Sequence, residues 1–294
     1  MRLWQWIVLV VVAAGAGAGL YMLTPVSGPA RDLTLVGDAA RGEYLIRLGG
    51  CITCHTDPKN ETAQLAGGAG LPTPFGTFYP PNITSSKTAG IGTWTLAQFS
   101  KAISDGEGPQ GHLYPAFPYD SYTLMSDQEI ADLHAALMAF PANDTPSKAH
   151  EVGFPFNIRL AMAGGKHLFF KPQRFVADAS QSDQWNRGKY IVFGPGHCVT
   201  CHSPRNPLGG VEAGKELSGN LAGGPGGKAP SIRKADLEAH QYTVDALVQT
   251  LTDSFTPGFD NLGGAMGEVI EDETSHWTDA DKRAVAVYLL SGVI

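Results

Sequence analysis

Positive charge is in deficit in this chain: 21 Lys and Arg face 28 Asp and Glu, a formal net charge of −7. A nucleic-acid protein would need a basic stripe, so that class is excluded. The acidity serves solubility or docking to a basic redox partner. Cysteine is scarce, with four copies in 294 residues, too few for a disulfide-dense scaffold. Gly and Pro are plentiful instead, at 36 and 20 copies, which suits a loop-rich fold more than long helices or large sheets. The apolar fraction of 43% is enough to bury a core.

Long apolar runs are lacking after the first two dozen residues. Before that, Trp4 to Leu23 holds Gln5 as its only strongly polar residue. A helix of this length covers the hydrocarbon core at ~1.5 Å per residue. Trp4, Trp6 and Tyr21 stand near its ends, as interfacial aromatics do, and Pro25 and Gly28 end it. Arg2 on the short side favours the N-terminus inside and the rest outside. The small residues Ala13 to Gly19 leave a cleaved signal peptide as the alternative to a retained anchor. Either way the soluble part is expected outside the cytoplasm, and a retained anchor would hold it on the periplasmic face of the inner (cytoplasmic) membrane.

Four cysteines in an exported protein would ordinarily form two disulfides. Their spacing speaks otherwise. They occur as Cys51-Ile52-Thr53-Cys54-His55 and Cys198-Val199-Thr200-Cys201-His202, and C-x-x-C-H is the haem attachment signature. Two thiols one helical turn apart add to the two vinyl groups of haem, and the adjoining histidine lies under the iron. A zinc ribbon would bring its second pair within ~15–20 residues, whereas residues 55–197 intervene here. A thioredoxin-like site would need a βαβ context, and none is visible. Two covalently bound c-type haems are therefore expected, attached through Cys51, Cys54, Cys198 and Cys201 and ligated by His55 and His202.

Both motifs sit in similar neighbourhoods. Arg41-Gly42-Glu43-Tyr44 runs into the first and Arg187-Gly188-Lys189-Tyr190 into the second. Each reads as a short helix, with Asp38 or Asp183 as N-cap. Glycine inside a helix needs a packing reason, which close approach of a second helix would supply. That helix is legible twice. Ser126-Asp127-Gln128-Glu129 is a capping box opening a helix to about Phe140, with Ile130, Leu133, Leu137 and Met138 on its apolar face. Thr278-Asp279-Ala280-Asp281 opens the other, with Ala284, Val285, Tyr288 and Leu289 facing inward; Pro141 and Gly292 stop the two. The expected organisation is mainly α: an anchor or signal with its tether over 1–32, a haem domain over 33–140, a linker over 141–180 and a second haem domain over 181–294. The linker carries Phe154 to Arg159 and Leu168-Phe169-Phe170, and reads as a strap over both domains or as a partner or membrane contact. His150 and His167 within it read as surface residues.

The chain resembles the membrane-anchored multihaem cytochrome c subunits of bacterial alcohol, gluconate and related sugar or aldehyde dehydrogenases. The resemblance rests on Thr73 to Thr77, Asn82-Ile83-Thr84, Gly90 to Trp94, Leu113 to Tyr119, Phe154 to Arg159, Trp185 to Gly188, His202 to Asn206 and Gly263 to Val269. It implies two tandem cytochrome c-type domains after a transmembrane helix. It also implies an electron carrier that takes electrons from a periplasmic dehydrogenase toward ubiquinone, a soluble cytochrome or a terminal oxidase. Family members often carry three haems, the second domain here lacks the Asn-Ile-Thr string, and Phe117 stands where many relatives have an iron-binding methionine.

A sixth iron ligand is expected for electron transfer, and methionine raises the potential. In the second domain Met266 fits, in what reads as a Gly-rich loop. In the first, His112 is the leading candidate. Met125 belongs to a hydrophobic staple before Ser126, Met138 to the core, and His134 to a partly exposed helix face. Trp94 and Arg205 are candidate donors to haem propionates, and the Asn82 sequon reads as a chance match. The rival to an electron carrier is a dihaem enzyme, peroxidase-like or thiosulfate-oxidising, with an open first iron. A haem-based sensor would need a signalling module, which is not visible.

Overall fold

The computed structural model describes residues 2–224 and 227–292. It is mainly helical. Helix α1 (Leu3–Met22) has no buried residue and is long and apolar enough to cross a membrane. The body begins with α2 (Ala39–Leu48), α3 (Cys51–His55), α4 (Leu96–Asp105), α5 (Tyr119–Tyr122) and α6 (Asp127–Ala139). The strap contributes α7 (Ala161–Phe169). There follow α8 (Asp183–Phe193), α9 (Cys198–Cys201), α10 (Lys234–Ala239), α11 (Val244–Asp253), α12 (Gly264–Asp272) and α13 (Asp279–Ser291). Strands are short: β1 (Leu71–Thr73), β2 (Gly76–Phe78) and β5 (Glu151–Val152) form an antiparallel sheet in the order β1-β2-β5. Hairpins join β3 (Glu107–Gly108) to β4 (Gly111–His112) and β6 (Asn220–Gly224) to β7 (Gly227–Ala229).

Two helix pairs organise the body, α2 on α6 and α8 on α13. The glycines flagged in the sequence explain the crossings. A Cβ on Gly42 would lie 1.9 Å from the Asp132 carbonyl oxygen, and one on Gly188 would lie 2.0 Å from that of Ala284. Only glycine lets backbone meet backbone this closely. Beside each glycine an arginine clamps the partner helix with two parallel hydrogen bonds. Arg41 Nε and Nη2 donate to Asp132 at 2.7 and 2.9 Å. Arg187 Nε and Nη2 donate to Asp281, both at 2.8 Å. Burial alone would raise these two carboxyls, but their arginine partners hold them below the usual range.

The pairs are tied to each other as well. Tyr44 of α2 donates to Asp281 of α13 at 2.6 Å, and Tyr190 of α8 donates to Glu129 of α6 at 2.6 Å. Arg47 also donates to the Asp272 carbonyl at 3.0 Å. The strap touches both sides: Lys166 Nζ donates to the Asp105 and Gly106 carbonyls, Phe175 meets Tyr190 edge to face, and Phe169 lies against Gly210. Apolar burial around Leu45, Leu48, Ile130, Leu137, Trp185, Ile191, Val285 and Tyr288 forms one continuous core.

Local signals are mostly realised. Ser126 caps α6 in a full capping box, Thr278 caps α13, Asp38 caps α2, and Gly292 ends α13 in a left-handed conformation. Two expectations are corrected. Helix α8 is capped by Ser182, whose hydroxyl accepts from Trp185 N, and Asp183 is its first residue. Met266 lies in the first turn of α12, not in a loop. The Gly263-Gly264 pair reads as irregular because glycine opposes helix, but it stands at the N-cap and first position, where that opposition is weak.

Candidate haem sites

The two C-x-x-C-H motifs occupy matching frames. Each begins after a left-handed residue, Gly50 at φ 64° and His197 at φ 34°, which turns the chain into the one-turn helices α3 and α9. All four cysteines lie on those turns, and none is joined to another in a disulfide. His55 Nδ1 lies 2.6 Å from the Pro81 carbonyl and His202 Nδ1 lies 2.7 Å from the Pro230 carbonyl. A carbonyl only accepts, so Nδ1 carries the hydrogen and Nε2 keeps its lone pair for iron. Burial pushes both imidazoles down in pKa, which favours the neutral form that can bind a metal.

The loop after each motif repeats the same construction. Thr56 Oγ1 accepts from Leu65 N and Ser203 Oγ from Leu217 N, at 3.2 and 3.0 Å. Leu65 and Leu217 are fully buried with φ near 60° and 62°. Their carbonyls then accept from Ile83 N and Ile232 N. Gly67 N and Gly219 N close on the His55 and His202 carbonyls at 2.9 and 2.7 Å. Two unlike sequences thus fold into one histidine-orienting frame.

The motifs back onto each other. Tyr122, which donates to the Gly49 carbonyl, has its ring 5.7 Å from that of His197. Burial pushes the Cys54 thiol up to about 12, and the nearby Glu273 and Cys201 add to that rise. Glu273 lies between the motifs, 2% exposed; a Cβ on Gly50 would fall 2.3 Å from its Oε1. Burial pushes the Glu273 carboxyl up to about 8. Thr53 Oγ1 is near enough to lower that value slightly but is not in hydrogen-bonding geometry.

Whether these frames suit haem is tested by the polar atoms they leave over. Arg205 Nε, Trp277 Nε1 and the motif hydroxyls of Thr53 and Thr200 are buried without a partner. Such atoms are rare in native proteins and call for one. Two of them, an arginine and an indole, are donors suited to carboxylates such as haem propionates. The remaining Arg205 nitrogens donate to the Gly209 and Thr200 carbonyls and so hold the guanidinium beside the second motif. The frames fit the group.

The other residues singled out in the sequence are placed as follows. Phe117 packs on Tyr122 at 5.3 Å between ring centroids, beside the first motif. His112 is buried on β4 with Nδ1 3.2 Å from Lys166 Nζ, and its carbonyl accepts from Arg159. Met125 is 1% exposed, in its staple position. Met138 packs on the core and is partly buried. Met266 is partly buried on α12. The Trp94 ring lies against Gly108, and His134 contacts the Trp94 carbonyl. His150 is half-buried between Phe78 and Tyr114, and its Nδ1 accepts from Tyr79 N, so it is less exposed than its sequence suggests. Asn82 is 2% exposed and its amide donates to the Asn143 and Thr145 carbonyls, which leaves no group for a glycan. Sequence reasoning missed Glu273, Trp277 and His197. Trp277 had a signal: it precedes the cap Thr278 as Met125 precedes Ser126.

Paired C-x-x-C-H turns, each with a carbonyl-oriented histidine, define a c-type cytochrome with two attachment sites. No family model matches the chain. It is 39% identical over 280 residues to a dihaem c-type cytochrome of Cereibacter sphaeroides, covering 92% of each chain. It is 38% identical to the fructose dehydrogenase cytochrome subunit of Gluconobacter japonicus, covering 86% of this chain and 52% of that one. Against the gluconate 2-dehydrogenase cytochrome c subunit of Pantoea cypripedii it is 35% identical, covering 85% and 58%. The chain spans nearly all of the first relative and a little over half the length of the two dehydrogenase subunits. It belongs to this family of electron-carrying cytochromes c with two covalently bound haems.

Proposed function

We propose that the chain passes electrons between two haems, from a periplasmic dehydrogenase to ubiquinone, a soluble cytochrome or a terminal oxidase. The back-to-back placement of the two motifs, with Tyr122, His197 and Glu273 between them, carries this reading. The haems supply reversible one-electron chemistry when bound. Around them the chain attaches, orients and excludes water. Cys51 and Cys54 hold the first haem and Cys198 and Cys201 the second, with His55 and His202 as the ligands that Pro81 and Pro230 orient. Arg205 and Trp277 are the proposed propionate donors. The two haem domains are read as 33–140 and 181–294, joined by the strap. Helix α1 is read as a retained single-pass anchor in the inner membrane, with the remainder in the periplasm.

For the sixth ligands we assign Met266 to the second iron and His112 to the first. For His112 the contact to Lys166 must be exchanged for iron, since a donor at Nδ1 leaves the hydrogen on Nε2. Met266→Ala is expected to abolish the near-infrared sulfur-to-iron band and lower the second haem's potential. Survival of both would make Met266 packing only. His112→Ala is expected to remove one low-spin EPR signal, and an unchanged spectrum would point elsewhere.

Intact mass and a redox titration test the function itself. Two haems per chain and two one-electron low-spin waves are expected. Phe117 favours one other reading, a dihaem enzyme with an open first iron. A high-spin signal in the wild type that binds cyanide or CO, with turnover of peroxide or thiosulfate, would establish that reading instead.

A further inference from the structure

The strap carries apolar residues that the body leaves wholly or partly exposed. Phe154 is 81% exposed, Leu168 59% and Leu160 52%. Phe156, Ile158 and Phe169 are also exposed. Scattered apolar residues on a surface need no explanation, but six within residues 154–169 do. They cannot be rolled inward. Ala163 and Lys166 form the buried side of α7, and the Lys166 ammonium is fixed at 2.6 and 2.7 Å to the Asp105 and Gly106 carbonyls. Helix α7 is therefore held with Leu168 outward and Phe169 at the edge of its contact with Gly210.

What covers this face is indicated by its neighbour. The last turn of α1 packs on α7. The Tyr21 and His167 rings lie 4.6 Å apart, and His167 Nε2 is 3.0 Å from the Thr24 carbonyl and 3.2 Å from its hydroxyl. A Cβ on Gly164 would touch the Met22 methyl at 3.5 Å. Residues 21–24 are where an apolar helix of this length leaves the hydrocarbon, a level favoured by tyrosine. Helix α7 is thus anchored at the height of the headgroups. Lys171, exposed just after it, adds a cation of the kind that anionic headgroups attract.

We propose that residues 154–169 form a second membrane contact, lying in the headgroup region beside α1 without crossing it. The inference rests on the reading of α1 as a retained anchor. Such a contact uses apolar side chains and flanking basic groups on one helix face. It would fix the orientation of the body on the membrane, which a single spanning helix cannot do alone.

Full-length holoprotein in nanodiscs containing a diazirine phospholipid tests this. After illumination, lipid adducts are mapped by peptide mass spectrometry. Adducts are expected in 154–169 as well as in 3–22. The double variant Leu160→Glu, Leu168→Glu should keep both haems and the α1 adducts while losing adducts in 154–169 by about tenfold. Adducts in 3–22 alone overturn the second contact but leave the anchor standing. Adducts in neither segment overturn both. Protection of 154–169 from hydrogen exchange that requires a dehydrogenase subunit, and not lipid, would assign the face to a protein and overturn the proposal.

Discussion

Gly188→Val is expected to prevent accumulation of the two-haem protein. The smallest added side-chain atom would lie 2.0 Å from the Ala284 carbonyl and 2.7 Å from Tyr288 Cβ. Both are backbone or helix-proximal atoms that cannot swing aside. The α8–α13 pair would have to part, loosening the Arg187–Asp281 clamp and the contact of Trp185 with Tyr288 at 5.1 Å. Overpacking combined with a broken buried ion pair costs at least about 3 kcal/mol, a large share of a domain's stability. Gly42→Val meets the Asp132 carbonyl and Ala136 in the same way and should damage the first site. Haem-stained gels with intact mass, followed by melting of whatever folds, check both variants. A Gly188→Val protein with two haems and a wild-type melting temperature would show that the crossing tolerates a side chain.

The second large effect concerns Glu273. In the unfolded chain a glutamate titrates near its ordinary value of 4.5, whereas burial between the motifs raises it to about 8. Between those values the folded state holds a proton that the unfolded state has lost, so stability falls as pH rises from about 4.5 to 8 and levels off above. Glu273→Gln keeps the shape and removes the titration. It is expected to flatten the pH dependence over that window and to stabilise the protein at pH 8 by about 2–5 kcal/mol. Denaturant melts of both proteins from pH 5 to pH 9 measure it. Parallel curves for wild type and variant would mean that Glu273 keeps an ordinary pKa.

Much of this fold was legible because its strongest signals are local. C-x-x-C-H names its cofactor within five residues, and the caps at Ser126 and Thr278 announce the closing helices. The Gly42 and Gly188 anomalies demanded a close crossing, and the crossing is there. What escaped has three physical causes. Glu273 and His197 matter because one half of the chain delivers them to the other, and no short-range pattern records that. The matched frames around Leu65 and Leu217 were hidden by loop length, since the first loop reaches its turn in fewer residues than the second. Met266 shows a third cause: the glycines before it read as irregular, yet they are the entry of α12.

The reciprocal tyrosine contacts have a consequence for the origin of the molecule. Counted from the caps Ser126 and Thr278, Glu129 and Asp281 hold the same helix position, and Tyr44 and Tyr190 each stand two residues after the crossing glycine of their helix. Each half therefore offers the other the same patch that it receives, the hallmark of an isologous, C2-type interface. Such a surface closes equally well between two copies of a single half. A one-haem ancestor could have formed this contact as a homodimer, so that joining its duplicated genes needed only a strap and no new interface.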